Sequence, residues 1–132
     1  MPQPIPDAYR DLLDRPAIAH LATLMKDGSP QVTPVWCDRV GDHVRLNSAR
    51  GRLKDRNMRR DPRVALSLCD PDSPYRYLEI RGRVIEITGD GADAHIDALA
   101  KKYLGLDTYP NRRAGEVRVM YVVEAERFSK MG

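Results

Sequence analysis

The chain reads as a mainly β, α+β protein: one antiparallel β-barrel with peripheral helices, spanning residues 1–132 as a single domain. Three observations predict this. Period-two alternation runs over Tyr75–Thr88 and again over Glu116–Phe128. Shorter runs rich in β-formers are separated by turn signals at hairpin distances, first Lys26-Asp27-Gly28-Ser29-Pro30 and then Arg39–Asp42. Five or six predicted strands with hairpin-like connections, against only two or three helices, favour an antiparallel barrel.

Taken in order, Pro6, Asp7, Ala8, Leu12 and Leu13 predict a short opening helix that ends before Arg15-Pro16, because the residue before a proline is pushed out of the helical region. Residues Ala17–Met25 and Gln31–Cys37 form a predicted hairpin, and His43–Asn47 is a third strand. The segment 47–63 reads as a loop entering a helix, with Asn47 and Ser48 able to cap it and Pro62 forbidding its continuation. Arg63–Cys69 is a fourth strand. Tyr75–Thr88 follows as a long strand in which Gly82 marks a bulge or bend. Ile96, Leu99, Ala100 and Tyr103 place a helix over Ala92–Leu104, Gly105–Gly115 is a polar loop, and Glu116–Phe128 closes the barrel.

The basic segment is the sharpest functional signal. Asn47–Arg63 holds Arg50, Arg52, Lys54, Arg56, Arg59, Arg60 and Arg63 against only Asp55 and Asp61, whereas the whole chain has a net charge of +3. The rest is therefore slightly acidic, and a local cluster implies a local anionic partner. Arg52 and Lys54 fall in the predicted first helical turn, where the macrodipole and unpaired N–H groups already supply positive charge. A bound phosphate reverses the sign of that cost, so Ser48, Arg52 and Lys54 form a candidate anion cradle. The alternatives are a solvated charged face, a nucleic-acid surface and a membrane-surface patch. Residues 47–63 contain no aromatic for base stacking and no amphipathic apolar face with bulky anchors, which weighs against nucleic acid and membrane as partners.

Composition narrows the classes further. No apolar run approaches the ~20 residues of a membrane span, and Met1–Leu13 lacks the basic-then-apolar pattern of a secretory signal. Cys37 and Cys69 are too few for a disulfide framework and read as reduced thiols, which points to the cytoplasm. His20, His43 and His95 show no metal-ligand spacing with each other or with the cysteines, so no metal site is expected. Glycine-rich nucleotide loops and nucleophile elbows are also missing, so any reaction falls to a bound cofactor. A chain of this size is small to enclose one alone, which favours a site shared between subunits.

Three segments, LATLMKDGSPQVTPVW, RLKDRNMRRDPRVALSL and YLEIRGRV, together resemble the split β-barrel flavin and deazaflavin oxidoreductases related to pyridoxamine 5′-phosphate oxidase. The likeness is strongest to the branch that uses the deazaflavin coenzyme F420, and it covers nearly the whole chain. It implies a split barrel of the FMN-binding type in which Ser48, Arg52, Lys54 and Asn57 hold the cofactor phosphate, with Arg50 an extra contact or a solvated residue. It also implies that Pro34, Val35 and Trp36, following Thr33, lie against the tricyclic ring, with Tyr77 and Glu79 lining the pocket. The site would lie between the subunits of a homodimer. Hydride would pass between F420 and a small conjugated organic acceptor, with His20, Tyr77 and Glu79 the proton-donor candidates by type. Lys101, Lys102, Arg112 and Arg113 are candidates to meet the polyglutamate tail. FMN in the same cradle, as in a flavin reductase or oxidase, is the nearest alternative, and a non-catalytic haem- or bilin-binding barrel is the next.

Overall fold

The computed structural model describes residues 1–132. A 3-10 turn (Asp7–Tyr9) leads into α1 (Asp11–Asp14), followed by β1 (Ala19–Leu24), β2 (Pro30–Val35), β3 (Cys37–Val40), β4 (His43–Ala49), α2 (Leu53–Arg60), β5 (Arg63–Asp70), β6 (Ser73–Thr88), α3 (Ala92–Leu104) and β7 (Arg118–Met131). The strands make one antiparallel sheet in the order β2-β1-β5-β6-β7-β4-β3. Its two edge strands, β2 and β3, are consecutive in sequence and joined only through Trp36. The sheet must therefore curl until its edges approach, and the protein is the expected split antiparallel barrel.

Alternation sets which side chains fill it. Leu21 on β1, Val44 and Leu46 on β4, Leu66 and Leu68 on β5, Leu78 and Ile80 on β6, and Val119, Tyr121 and Val123 on β7 are all buried in one 22-residue core. Each large aliphatic side chain so buried contributes about 1.5–3 kcal/mol. The 3-10 turn and α1 add Tyr9, Leu12 and Leu13 to the same cluster. Helix α2 packs against β1 and β4, and α3 against β7 and β4. Gly82 sits at a shift in the β6–β7 register, and a Cβ there would lie 2.1 Å from the Glu124 carbonyl oxygen. The predicted bulge is real, and it exists because two backbones meet too closely for any side chain.

Two predicted elements differ. The single strand expected over Gln31–Cys37 breaks at Trp36, where the chain leaves one sheet edge for the other, and the expected turn 39–42 narrows to Gly41-Asp42 because Arg39 and Val40 extend β3, leaving seven strands. Asn47 and Ser48 do not cap the basic helix: both lie in β4, and Arg52 occupies the cap position without a side-chain cap bond. No helix of the protein is long and apolar enough to cross a membrane.

Candidate functional site

The approach to α2 is fixed from below. Gly51 adopts a left-handed φ of 92°, which suits glycine, and its N–H donates to Asp55 Oδ2 at 2.9 Å. Asp55 is 1% exposed and also accepts hydrogen bonds from the Tyr121 hydroxyl and from Arg59 Nε. Burial opposes ionisation of this carboxyl, but the bonds from Tyr121, Gly51 and Arg59 outweigh it and hold the group below its ordinary range. The inner face of the helix is thus anchored to β7, and Arg52 and Lys54 are left to line a cavity.

That cavity measures about 370 Å³. One wall is Ile18, Pro34, Val35 and Trp36 from the β1–β2 side, and α3 adds Ile96 and Leu99. The polar wall comes from Asn47 on β4, Arg52 and Lys54 at the start of α2, and Arg118 on β7. Tyr109 and Asn111 reach in from the α3–β7 loop. Trp36 stacks on Tyr103, with ring centroids 5.2 Å apart and planes 7° from parallel, and meets the edge of Tyr109 at 6.0 Å. The Arg118 guanidinium lies 5.2 Å over the Tyr109 ring, and the Tyr109 N–H donates to Asp97 at 2.9 Å. The polar loop is therefore tied to the site.

Charge is unbalanced here. Glu116 is the one carboxylate ion-paired with the cavity cations, and it bridges two of them, with Arg52 Nη2 at 2.9 Å and Arg118 Nη1 at 3.0 Å. Its carboxyl is held below the usual value because these guanidiniums outweigh the effect of burial. Lys54 has no carboxylate partner. Burial, then repulsion from Arg52 and Arg118, pushes its ammonium below the ordinary lysine value. Three cations and an apolar wall of Pro34, Val35 and Trp36 in one cavity fit a ligand that is anionic at one end and planar and apolar at the other.

The predicted residues divide. Pro34, Val35, Trp36, Arg52 and Lys54 come together in the cavity. Arg50 lines a neighbouring groove with Arg52 and Arg113. Ser48 alternates with Val44 and Leu46 toward the barrel interior, and its Oγ is buried without a partner. Asn57 is fully buried under α2, where its Nδ2 donates to Thr23 Oγ1 at 3.0 Å and its Oδ1 accepts from Arg60. Glu79 and His20 fall on the outer face, in a row that runs Pro34, His20, Ser67, Glu79 across β2, β1, β5 and β6, with Tyr77 two residues along. Of the proposed tail-binding cations, Lys102 points inward to the Leu13 and Cys37 carbonyls, Lys101 pairs with Asp107, and Arg112 pairs with Asp93 and Asp97.

Within the basic segment, Arg52, Arg59 and Arg63 pair with Glu116, Asp55 and Asp61, whereas Arg50, Lys54, Arg56 and Arg60 have no carboxylate partner. Asn47 belongs to the cavity rather than to a helix cap, and Arg118, Tyr109 and the α3 residues join it with no local signal in the sequence. No group of three His, Cys, Asp or Glu side chains is placed to hold a metal.

The fold is a split antiparallel barrel with a cavity lined by cations and aromatic residues, and comparison with known proteins identifies its family. A family model described as "Pyridoxamine 5'-phosphate oxidase" matches residues 5–132, so the chain belongs to the pyridoxamine 5′-phosphate oxidase family. A solved structure titled "F420 Reductase" is 39% identical, covering 95% of this chain and 98% of its own, with a TM-score of 0.83. A conserved hypothetical protein from Mycobacterium tuberculosis shares 23% identity over 96% of this chain and 84% of its own, with a TM-score of 0.76. HupZ of Group A Streptococcus shares 19% over 96% of this chain and 94% of its own, with a TM-score of 0.68. The latter two show the fold alone. A search of curated proteins found no match.

Proposed function

We propose that this protein is an oxidoreductase that binds coenzyme F420 in the cavity described above and transfers hydride between it and a small conjugated organic substrate. The observation that carries the reading is the convergence of Arg52, Lys54 and Arg118, with only Glu116 ion-paired to them, in one cavity with Pro34, Val35 and Trp36. The 39% identity to a structure titled "F420 Reductase" supports the deazaflavin over FMN. In this reading Arg52 and Lys54 take the cofactor phosphate, Lys54 gaining the anionic partner it lacks. Pro34 exposes a strand edge without an N–H donor, and with Val35 it offers a flat backbone surface to the ring. Trp36, stiffened by Tyr103, closes one end.

When bound, the deazaflavin supplies the hydride chemistry; the protein orients its ring, excludes water and neutralises its phosphate. His20, Tyr77 and Glu79 do not line the cavity of their own chain, so a proton donor from this set must come from a second copy. The outer face carrying them also exposes Ile18 and Val32, at 42% and 58%. We infer a homodimer that covers this face and completes the site, to be checked by sedimentation of the intact protein.

Titration with F420 and, separately, FMN, followed by ligand fluorescence anisotropy, tests the cofactor. Tighter F420 binding that Arg52→Ala/Lys54→Ala removes is the expected result. Tighter FMN binding moves the protein to the flavin branch, and binding of neither refutes the reading.

A further inference from the structure

A buried imidazole lies directly behind the polar wall of the cavity. The side chain of His95, on α3, is 2% exposed, with Nε2 3.0 Å from Asp38 Oδ1 and Nδ1 3.1 Å from Asn47 Nδ2. Asp38 in turn accepts from Arg45 Nε and Nη2 at 3.0 and 2.7 Å. The other contacts of Asn47 decide the proton positions. Its amide lies 2.9 Å from the Ala92 carbonyl, which only accepts, and on its other side it faces Arg118 Nε and Nη2 at 3.0 and 2.7 Å, which only donate. The NH₂ group must therefore face Ala92 and His95, and Oδ1 must face Arg118. All four hydrogen-bonding positions of Asn47 are filled. The same logic makes His95 Nδ1 the acceptor and leaves the single ring proton on Nε2, donated to Asp38.

We propose that His95 is a positioning residue for the cavity: as the Nε2–H tautomer it accepts from the Asn47 NH₂ and, with the Ala92 carbonyl, braces the amide whose Oδ1 holds the Arg118 guanidinium in place for an anionic ligand. This rests on the cradle reading above and names a residue outside it. The chain of contacts runs Asp38, His95, Asn47, Arg118 and then Glu116, which also holds Arg52. If Asn47 turned over, its Oδ1 would face the Ala92 carbonyl and the unprotonated Nδ1 of His95, and its NH₂ the guanidinium, so His95 adds a further contact to those that already favour one amide orientation. Arg118 is 6% exposed and cannot find an equivalent acceptor in water.

Nitrogen NMR on the wild-type protein reads the tautomer directly: a protonated Nε2 and unprotonated Nδ1 are expected, and the reverse overturns the proposal. The Arg118 Nε–H resonance should shift or broaden in His95→Leu and be retained in His95→Gln, whose amide can accept from Asn47 and donate to Asp38. F420 affinity should fall about tenfold in His95→Leu, recover in His95→Gln, and change less than about twofold when His95→Leu is added to Arg118→Ala. An additive loss in the double mutant means that His95 acts elsewhere and overturns the role. Should wild-type protein bind neither F420 nor FMN, the cofactor reading falls; an Arg118 resonance unmoved by His95→Leu overturns the positioning role with or without a ligand.

Discussion

Replacing Lys54 by Met should make the protein more stable and a weaker binder at once. Lys54 is half-buried, faces Arg52 and Arg118 across the cavity wall and has no acid of its own. Met keeps most of the aliphatic stem and removes the repelled charge, which is worth about 0.5–1 kcal/mol for partly solvated groups. For a chain of this length that raises Tm by about 2–4 °C. Ligand binding moves the other way: losing one charge-assisted bond to a phosphate costs about 1.5–3 kcal/mol, or about 10- to 150-fold in Kd.

The pH dependence has a definite sign. The folded-state pKa of Lys54 lies below its unfolded value, so the penalty on the native state is present in full at neutral pH. It disappears as pH rises through the folded value toward about 10.4, and the stability advantage of Lys54→Met should shrink over the same range. Thermal melts at neutral and alkaline pH, paired with F420 anisotropy titrations, measure both effects. A lower Tm at neutral pH together with unchanged affinity would refute the argument that Lys54 is a strained cation held for an anion.

Other outcomes follow from other parts of the molecule. Asp55→Asn should cost about 2–4 kcal/mol by urea denaturation, because it weakens the buried acceptor for Tyr121, Gly51 and Arg59. The Asp55 carboxyl is held low in the folded state, so its contribution is present above the unfolded pKa of about 3.9 and is lost as pH falls through the folded value; the Asp55→Asn variant should lack that part of the acid sensitivity. Gly82→Ala places a methyl 2.1 Å from the Glu124 carbonyl and should lower the urea midpoint by the equivalent of about 3 kcal/mol or more; a loss below about 1 kcal/mol would mean the β6–β7 crossing can open. Titration of native protein with a thiol reagent should find Cys69 and miss Cys37, which is fully buried and whose thiol burial pushes up to about 11. Rapid reaction of both thiols would show that the start of β3 frays.

Arg52 and Lys54 were legible in the sequence because their position is locally costly: two cations at the start of a helix need a reason that lies in three dimensions. Arg118 was illegible for the opposite reason. It sits between valines in a clean alternation, where an arginine is the ordinary residue for a solvent-facing position. Only the pairing of β4 with β7 turns it toward Asn47, 71 residues away. The break at Trp36 was hidden in a similar way, since Pro34–Cys37 is one unbroken apolar run that says nothing about which sheet edge each half occupies. Asn57 illustrates a further limit. Helical spacing puts it near Lys54 in sequence, but α2 turns that face down onto β1.

The pairing of β4 with β7 has a kinetic consequence. The β1–β2, β5–β6 and β3–β4 pairs join strands close in sequence, whereas β4 meets β7 only after a long stretch of chain is ordered, and the cavity lies where that pairing closes the sheet. Closing so large a loop carries an entropic penalty that neighbouring hairpins avoid. The cavity is therefore expected to assemble late on the folding route and to be among the first parts lost on the way back, which φ-values at Arg118 and Asn47 near zero would bear out. A molecule bound there would act chiefly as a brake on unfolding, lengthening the lifetime of the native barrel while leaving the rate at which a fresh chain reaches it almost unchanged.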